Sequence, residues 1–370
     1  MSEPDAAAAG GRVTTLELFF DLVFVFTVTQ LTTTLVDGPQ PRALIEVVLM
    51  LGVIFWMYGG YAWLTNSVAL DRLERRLLLL GGMAGFLVIA LAIPTAFAGG
   101  GLTFGLAYLV VVGVHTTLYT KAASERSRAA ILRVVPYNLC TASLVLAAGA
   151  VGGDAEYALW GLAFALEWVT PVLAGTGRFD LDPAHFVERH GLVVIVAIGE
   201  SIVAIGIGAS DLPLDAKLVA VAGLGLLLSV CLWWTYFGRD DDVAAEHALR
   251  ASPPERRGPL AIHAFGYCHL ALLLGIIAVA AGIKKAVGHP FDALELEAAL
   301  ELGGGAALFM AGDILFRRAL GLGRGPWRGI AAAGAALTIP LGSEGSAVLQ
   351  LTALVIVLAA ALTADARLSA

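Results

Sequence analysis

The chain is 370 residues long, 58% hydrophobic and 14% charged, with a formal net charge of −7. An ordinary soluble domain carries roughly 25% charged residues, and at a mean hydropathy of +0.83 a water-soluble fold could not bury the apolar surface, so the solvent for most of this chain is lipid. A cytosolic enzyme is excluded. So is a nucleic-acid-binding domain, since no basic run could track phosphates, and so is a secreted disulfide scaffold, since Cys140, Cys231 and Cys268 all lie inside apolar stretches.

Residues 1–13 open with a small, polar and mildly acidic stretch at 1–11 and lack the basic n-region of a cleavable signal. They are expected to form a disordered cytoplasmic N-terminus. Twelve apolar segments follow, at 15–36, 43–65, 77–98, 102–120, 129–151, 155–175, 184–209, 216–237, 259–283, 294–316, 327–342 and 346–364. Most have the length of about 20 residues that a helix needs to cross a bilayer. The connections are short, and only 238–258 has the length and polarity of a real loop. The eleventh segment is the weakest, being Gly/Ala-rich, broken by Pro340, and short or re-entrant in character. The expected fold is all-α, a polytopic integral membrane bundle of about twelve helices.

The placement of Lys and Arg tests this count independently, because cytoplasmic loops carry the excess. With twelve spans, 19 of the 23 basic residues fall on the side of both termini, and only Arg42, Lys217, Lys284 and Lys285 fall on the other. Both termini are therefore expected in the cytoplasm.

Four span pairs match in a common order. Glu17 and Glu188 lie near the starts of the first and seventh; Phe55-Trp56-Met57-Tyr58 corresponds to Trp233-Trp234-Thr235-Tyr236 in the second and eighth. Residues 75–97 align with 265–287 in the third and ninth, sharing Leu80/Leu270 and Gly85/Gly275, and the fourth and tenth set His115 opposite Asp313. The expectation is a six-plus-six duplication: a first half at 14–183, a second at 184–365, and a C-terminal tail at 366–370. Halves of six spans have the same orientation, related by an axis along the membrane normal.

Ionisable groups in a membrane span are costly and face the protein interior or water. The richest set is in the seventh span: His185, Glu188, Arg189, His190, Glu200 and Ser201. At 100° per residue, His185, Glu188, Arg189 and Glu200 share about one third of the helix circumference. Asp182-Pro183 supplies an N-cap and N1 pair, and an acidic residue in the first turns suits Glu188. No such local role explains Glu200, about three turns deeper. In the first span Thr14-x-x-Glu17 reads as a capping box, whereas Asp21 sits over a turn deeper among Phe19, Phe20, Val23 and Phe24 and needs a partner, with Arg189 or Arg133 as candidates. Gln30, on the opposite face, reads as an interhelical hydrogen-bonding group. His115, Glu167, His263, His269 and Asp313 complete the set. The expected arrangement is a polar cavity open to the cytoplasm and ending near Glu200. His185-x-x-Glu188 places two ligand types on one helical face, but it has no second copy, so neither a metal nor another cofactor is expected.

The stretches TTLELFFDLVFVFTVTQL at 14–31 and HFVERHGLVVIVAIGESIV at 185–203 resemble the bacterial low temperature requirement A (LtrA) proteins, in the expected order and over about 350 residues. That name refers to growth at low temperature; the resemblance implies a bacterial inner-membrane protein and no particular reaction. The leading functional expectation is a secondary transporter or related permeation protein, with lipids and an unknown small solute or ion as partners and no nucleic acid. The substrate or proton pathway is expected to involve Glu200, Asp21, Arg189, His185, Glu188, Ser201 and Glu17, with His115, Glu167, His269, Asp313 and Arg133 as secondary candidates. A membrane-embedded enzyme or lipid-modifying protein, and a non-catalytic sensor or packing protein, are the alternatives.

Overall fold

The computed structural model describes residues 13–38, 41–175, 179–238, 241–323 and 325–367, and among them every regular element is helical. Most of the expected N-terminal and C-terminal tails, and Arg12, Arg178, Arg239 and Arg324 of the charge count, lie outside the described residues. Fourteen α-helices follow one another: α1 (Thr15–Asp37), α2 (Arg42–Ser67), α3 (Leu73–Ala92), α4 (Gly101–Ala122), α5 (Glu125–Val151), α6 (Gly153–Ala174), α7 (Pro183–Gly208), α8 (Ala216–Phe237), α9 (Asp241–Ala251), α10 (Pro254–Ala261), α11 (His269–Gly288), α12 (Leu296–Leu320), α13 (Pro326–Leu337) and α14 (Ala347–Arg367). A π-helical turn, Ile262–Cys268, joins α10 to α11 without a break.

Eleven helices among the described residues are long and apolar enough to cross a membrane. The chain is a polytopic membrane helix bundle. The eleventh segment differs: α13 has 12 residues, about 18 Å of rise. After Thr338–Pro340 the chain continues in a second π-helical turn, Leu341–Gly345. Proline at 340 removes an N–H and crowds the preceding turn, so the helix cannot run through it unchanged. Within the stretch read as a polar loop, 238–258, residues 241–251 form α9 and 254–258 begin α10, so most of its described residues are helical. Asp241 and Asp242 fill the first turn of α9 and Arg250 its last, which suits the helix dipole, while Ala245 and Leu249, four apart, are buried.

The helices pack in two matching sets. In the first, α3 packs on α1 and α4, α5 on α4 and α6, and α2 on α1, α4 and α6. In the second, α11 packs on α7 and α12, α13 on α12 and α14, and α8 on α7, α12 and α14. The sets meet where α7 and α11 lie against α1 and α2. Glycine sets the closest approaches. A Cβ on Gly85 would come within 3.5 Å of the Ala107 carbonyl oxygen and 3.7 Å of Val111 N, and one on Gly275 within 2.8 Å of the Gly305 carbonyl oxygen and 2.7 Å of Phe309 N.

Candidate functional site

The site grows from the starts of α1 and α7, which lie side by side. Thr14 caps α1: its hydroxyl accepts from Glu17 N at 3.3 Å, while Glu17 Oε2 accepts from Thr14 N at 2.8 Å. Asp182 caps α7 by accepting from Ala184 N at 3.1 Å. Asn66, near the end of α2, pins that cap. Its amide donates to the Asp182 carbonyl and its oxygen accepts from Asp182 N, both at 2.8 Å. These local locks set the register in which His185 Nε2 lies 3.0 Å from Glu17 Oε1.

About 9 Å into each helix, at six residues from the start, Asp21 meets Arg189. Arg189 Nη2 lies 3.0 Å from Asp21 Oδ1, with Arg189 fully buried and Asp21 2% exposed. Tyr58 of α2 closes the group by donating from its hydroxyl to Asp21 Oδ1 at 2.9 Å. The guanidinium also lies 5.7 Å from the ring centres of both Phe20 and Tyr58. The Arg189–Asp21 contact is ionic and falls short of hydrogen-bond alignment, so the guanidinium nitrogens keep donors without acceptors. A groove of about 770 Å³ opens beside the seam, lined by Glu17, His185, Thr65, Asn66, Asp71 and Arg76 among others.

Glu200 is elsewhere. It lies buried on α7 and accepts from the Thr29 hydroxyl of α1 at 2.5 Å. It is eight residues from the end of α7 and 17 from its start, or about 12 Å and 25 Å of helix. The groove reaches Glu17 and His185, about 22 Å of helix short of Glu200. Ser201, next to it, is buried with no hydroxyl partner. Glu188 is exposed and accepts from Val13 N at 3.2 Å, so α7 turns it away from His185 and Arg189. Arg133 is exposed too and does not meet Asp21, whose partner is Arg189.

The remaining candidates divide among separate places. Asp313 of α12 pairs with Arg328 of α13, a buried cation that also lies 3.4 Å from both Asp241 and Asp365 and donates to the Thr235 carbonyl at 2.9 Å. Arg317 joins them through Asp241. Glu167 of α6 accepts from the Tyr108 hydroxyl. His269 has Tyr236 Oη at 2.8 Å from Nε2 and the Ala264 carbonyl 2.9 Å from Nδ1, spanning the π-helical turn. His115 binds the Gly60 carbonyl at 3.0 Å, and His263 is exposed. Sequence reasoning passed over Tyr58, Thr29, Arg328, Arg317, Asp241 and Asp365. Only Tyr58 carried a signal, as the counterpart of Tyr236 in the matched spans.

A multi-pass helix bundle with a buried ion pair between its first and seventh long helices is the class these features define. The chain belongs to the bacterial low temperature requirement A protein (LtrA) family, whose pattern it matches over residues 12–364. It is similar to an uncharacterised protein of Rhizobium meliloti (strain 1021), with 32% identity over 317 residues, covering 82% of this chain and 76% of that relative.

Proposed function

We propose that this protein is a secondary transporter of the bacterial inner membrane, with both termini and the Glu17–His185 groove facing the cytoplasm. The α1–α7 seam is its pathway: Glu17, His185, Asp21 and Arg189 guard the inner end, and Glu200 with Ser201 and Thr29 lies toward the outer end. The observation that carries the reading is the Asp21–Arg189 pair, a buried charge pair at the junction of two matching helix sets. Such sites at a repeat junction are where transporters of repeated architecture bind substrate and coupling ions.

The duplication of 14–183 as 184–365 is supported by packing that the sequence alignment did not use. Gly85 abuts Ala107 and Val111, and Gly275 abuts Gly305 and Phe309. Adding 198 to the first pair of partners gives the second, and 198 is also the offset that sets His115 against Asp313. The sidedness is supported by the 19 basic residues assigned to the groove side.

Cysteine accessibility tests the proposal. In a Cys140→Ser background, Thr65→Cys should react with a membrane-impermeant maleimide from the cytoplasmic side. Thr29→Cys should react from the outside in a fraction of molecules that changes with an imposed pH gradient. Thr29→Cys that stays unreactive from the outside under every gradient refutes alternating access along this seam.

A further inference from the structure

A second cavity lies apart from the α1–α7 pathway. Between α2, α4, α5 and α6 on one side and α7 with the first π-helical turn on the other lies a cavity of about 90 Å³. No carboxylate, lysine or arginine lines it, so a charged guest would be buried without a counter-ion. Rings dominate its walls, among them Trp56, Trp63, Phe186 and Phe265. Flat aromatic walls favour a ring-shaped guest, by offset or edge-to-face packing.

The lining also carries polar groups without partners: the Tyr119 hydroxyl and Trp168 Nε1, which a guest oxygen could accept from, and a histidine nitrogen that can only accept. The ring of His115, 2% exposed, binds the Gly60 carbonyl through Nε2 at 3.0 Å. A carbonyl only accepts, so Nε2 carries the proton and the neutral ring presents Nδ1 as an acceptor. That Nδ1 is buried and has no protein partner. His190 binds the Phe186 carbonyl through Nδ1 at 2.8 Å, which by the same reasoning leaves its Nε2 as an acceptor. A buried acceptor without a donor is costly, so the guest that fits best brings an O–H to it.

We infer that this cavity binds a neutral ring compound carrying a hydroxyl donor, of which a phenol is the simplest member, with the ring against the aromatic walls and the hydroxyl donating to His115 Nδ1. Trp56, Trp63 and Trp168 line the cavity and report on its occupant. The probe is 4-bromophenol, whose bromine quenches indole fluorescence on contact, added to the full-length protein in lipid nanodiscs. Saturable quenching is expected. With the hydroxyl capped as a methyl ether, 4-bromoanisole should bind about five-fold more weakly, the loss of one neutral hydrogen bond. Gly266 faces the cavity, and a Cβ there would have Ile262 at 3.7 Å and Trp168 at 4.0 Å as its nearest neighbours. Gly266→Leu should therefore fill the space and abolish the saturable component. Where that variant fails to insert, His115→Phe serves instead: it should weaken 4-bromophenol by the same factor and leave 4-bromoanisole unchanged. Equal affinity for phenol and ether overturns the hydroxyl assignment. Quenching that rises linearly with probe, or that persists in folded Gly266→Leu, overturns the site.

Discussion

Removing Asp21 should destabilise the protein more than removing Arg189, although the two form one pair. In Asp21→Leu the guanidinium keeps the faces of Phe20 and Tyr58, each 5.7 Å away, and, among the described residues, no carboxylate within 4 Å. An uncompensated buried charge of this kind costs about 3–5 kcal/mol. In Arg189→Leu the carboxylate keeps the Tyr58 hydroxyl at 2.9 Å. A hydrogen bond to a charged group contributes about 1.5–3 kcal/mol, so the loss should be nearer 2–3 kcal/mol. The double variant leaves no unpaired charge and places two leucines in an apolar setting, so its cost should fall well below the sum of the singles, with a coupling of at least about 2 kcal/mol. Equilibrium unfolding of the four proteins in mixed micelles measures all three numbers. Strict additivity, or a larger loss in Arg189→Leu than in Asp21→Leu, would show that the pair and the Tyr58 bond do not carry the energy assigned to them.

Three further outcomes are expected. Glu200→Gln keeps an oxygen for the Thr29 hydroxyl and cannot ionise; it should fold and insert but lose pH-dependent transport, and full retention of the pH response in a flux assay rules out a proton-carrying role. Gly275→Ala should lower the melting temperature more than Gly85→Ala, because its Cβ meets backbone at 2.7 Å whereas the nearest atom to the Gly85 Cβ is a valine methyl; equal shifts would contradict this. Arg328→Gln should destabilise by about 3 kcal/mol or more, since it removes the buried cation that Asp241, Asp313 and Asp365 share; an unfolding midpoint like that of the parent would show that the cluster is not buried as described.

What was legible in the sequence was what is local. A capping box lies within four residues, and Thr14 and Glu17 form it. An Asp-Pro start lies within two, and Asp182 and Pro183 open α7. Span length and hydropathy act over one helix, so eleven of the twelve segments appear as long helices and the eleventh is the short one. The Arg328 cluster was illegible for the opposite reason. Its members come from α8, α9, α12, α13 and α14, and two of those helices were read as a loop and as a marginal span. Pattern along one helix also misplaced Glu188. A stripe of one third of the circumference is wide enough to hold both a buried Arg189 and an exposed neighbour.

The distribution of charge bears on how the proposed transporter would move. At the groove end the two helix sets are held across the seam by Asp21–Arg189 and by Glu17–His185. Toward the other end, among the described residues, the Thr29–Glu200 hydrogen bond ties α1 to α7. Opening the groove end means separating buried opposite charges, which in a low-dielectric interior costs several kcal/mol unless something replaces the partner. Opening the other end breaks the Thr29–Glu200 hydrogen bond and apolar contacts that lipid tails can replace. A charged solute or a proton is what could replace the partner, by titrating or neutralising one side of the Asp21–Arg189 pair. The same pair would then act as a lock on the cytoplasmic end and as the sensor that releases it, and a solute that cannot interact with either charge would not be carried.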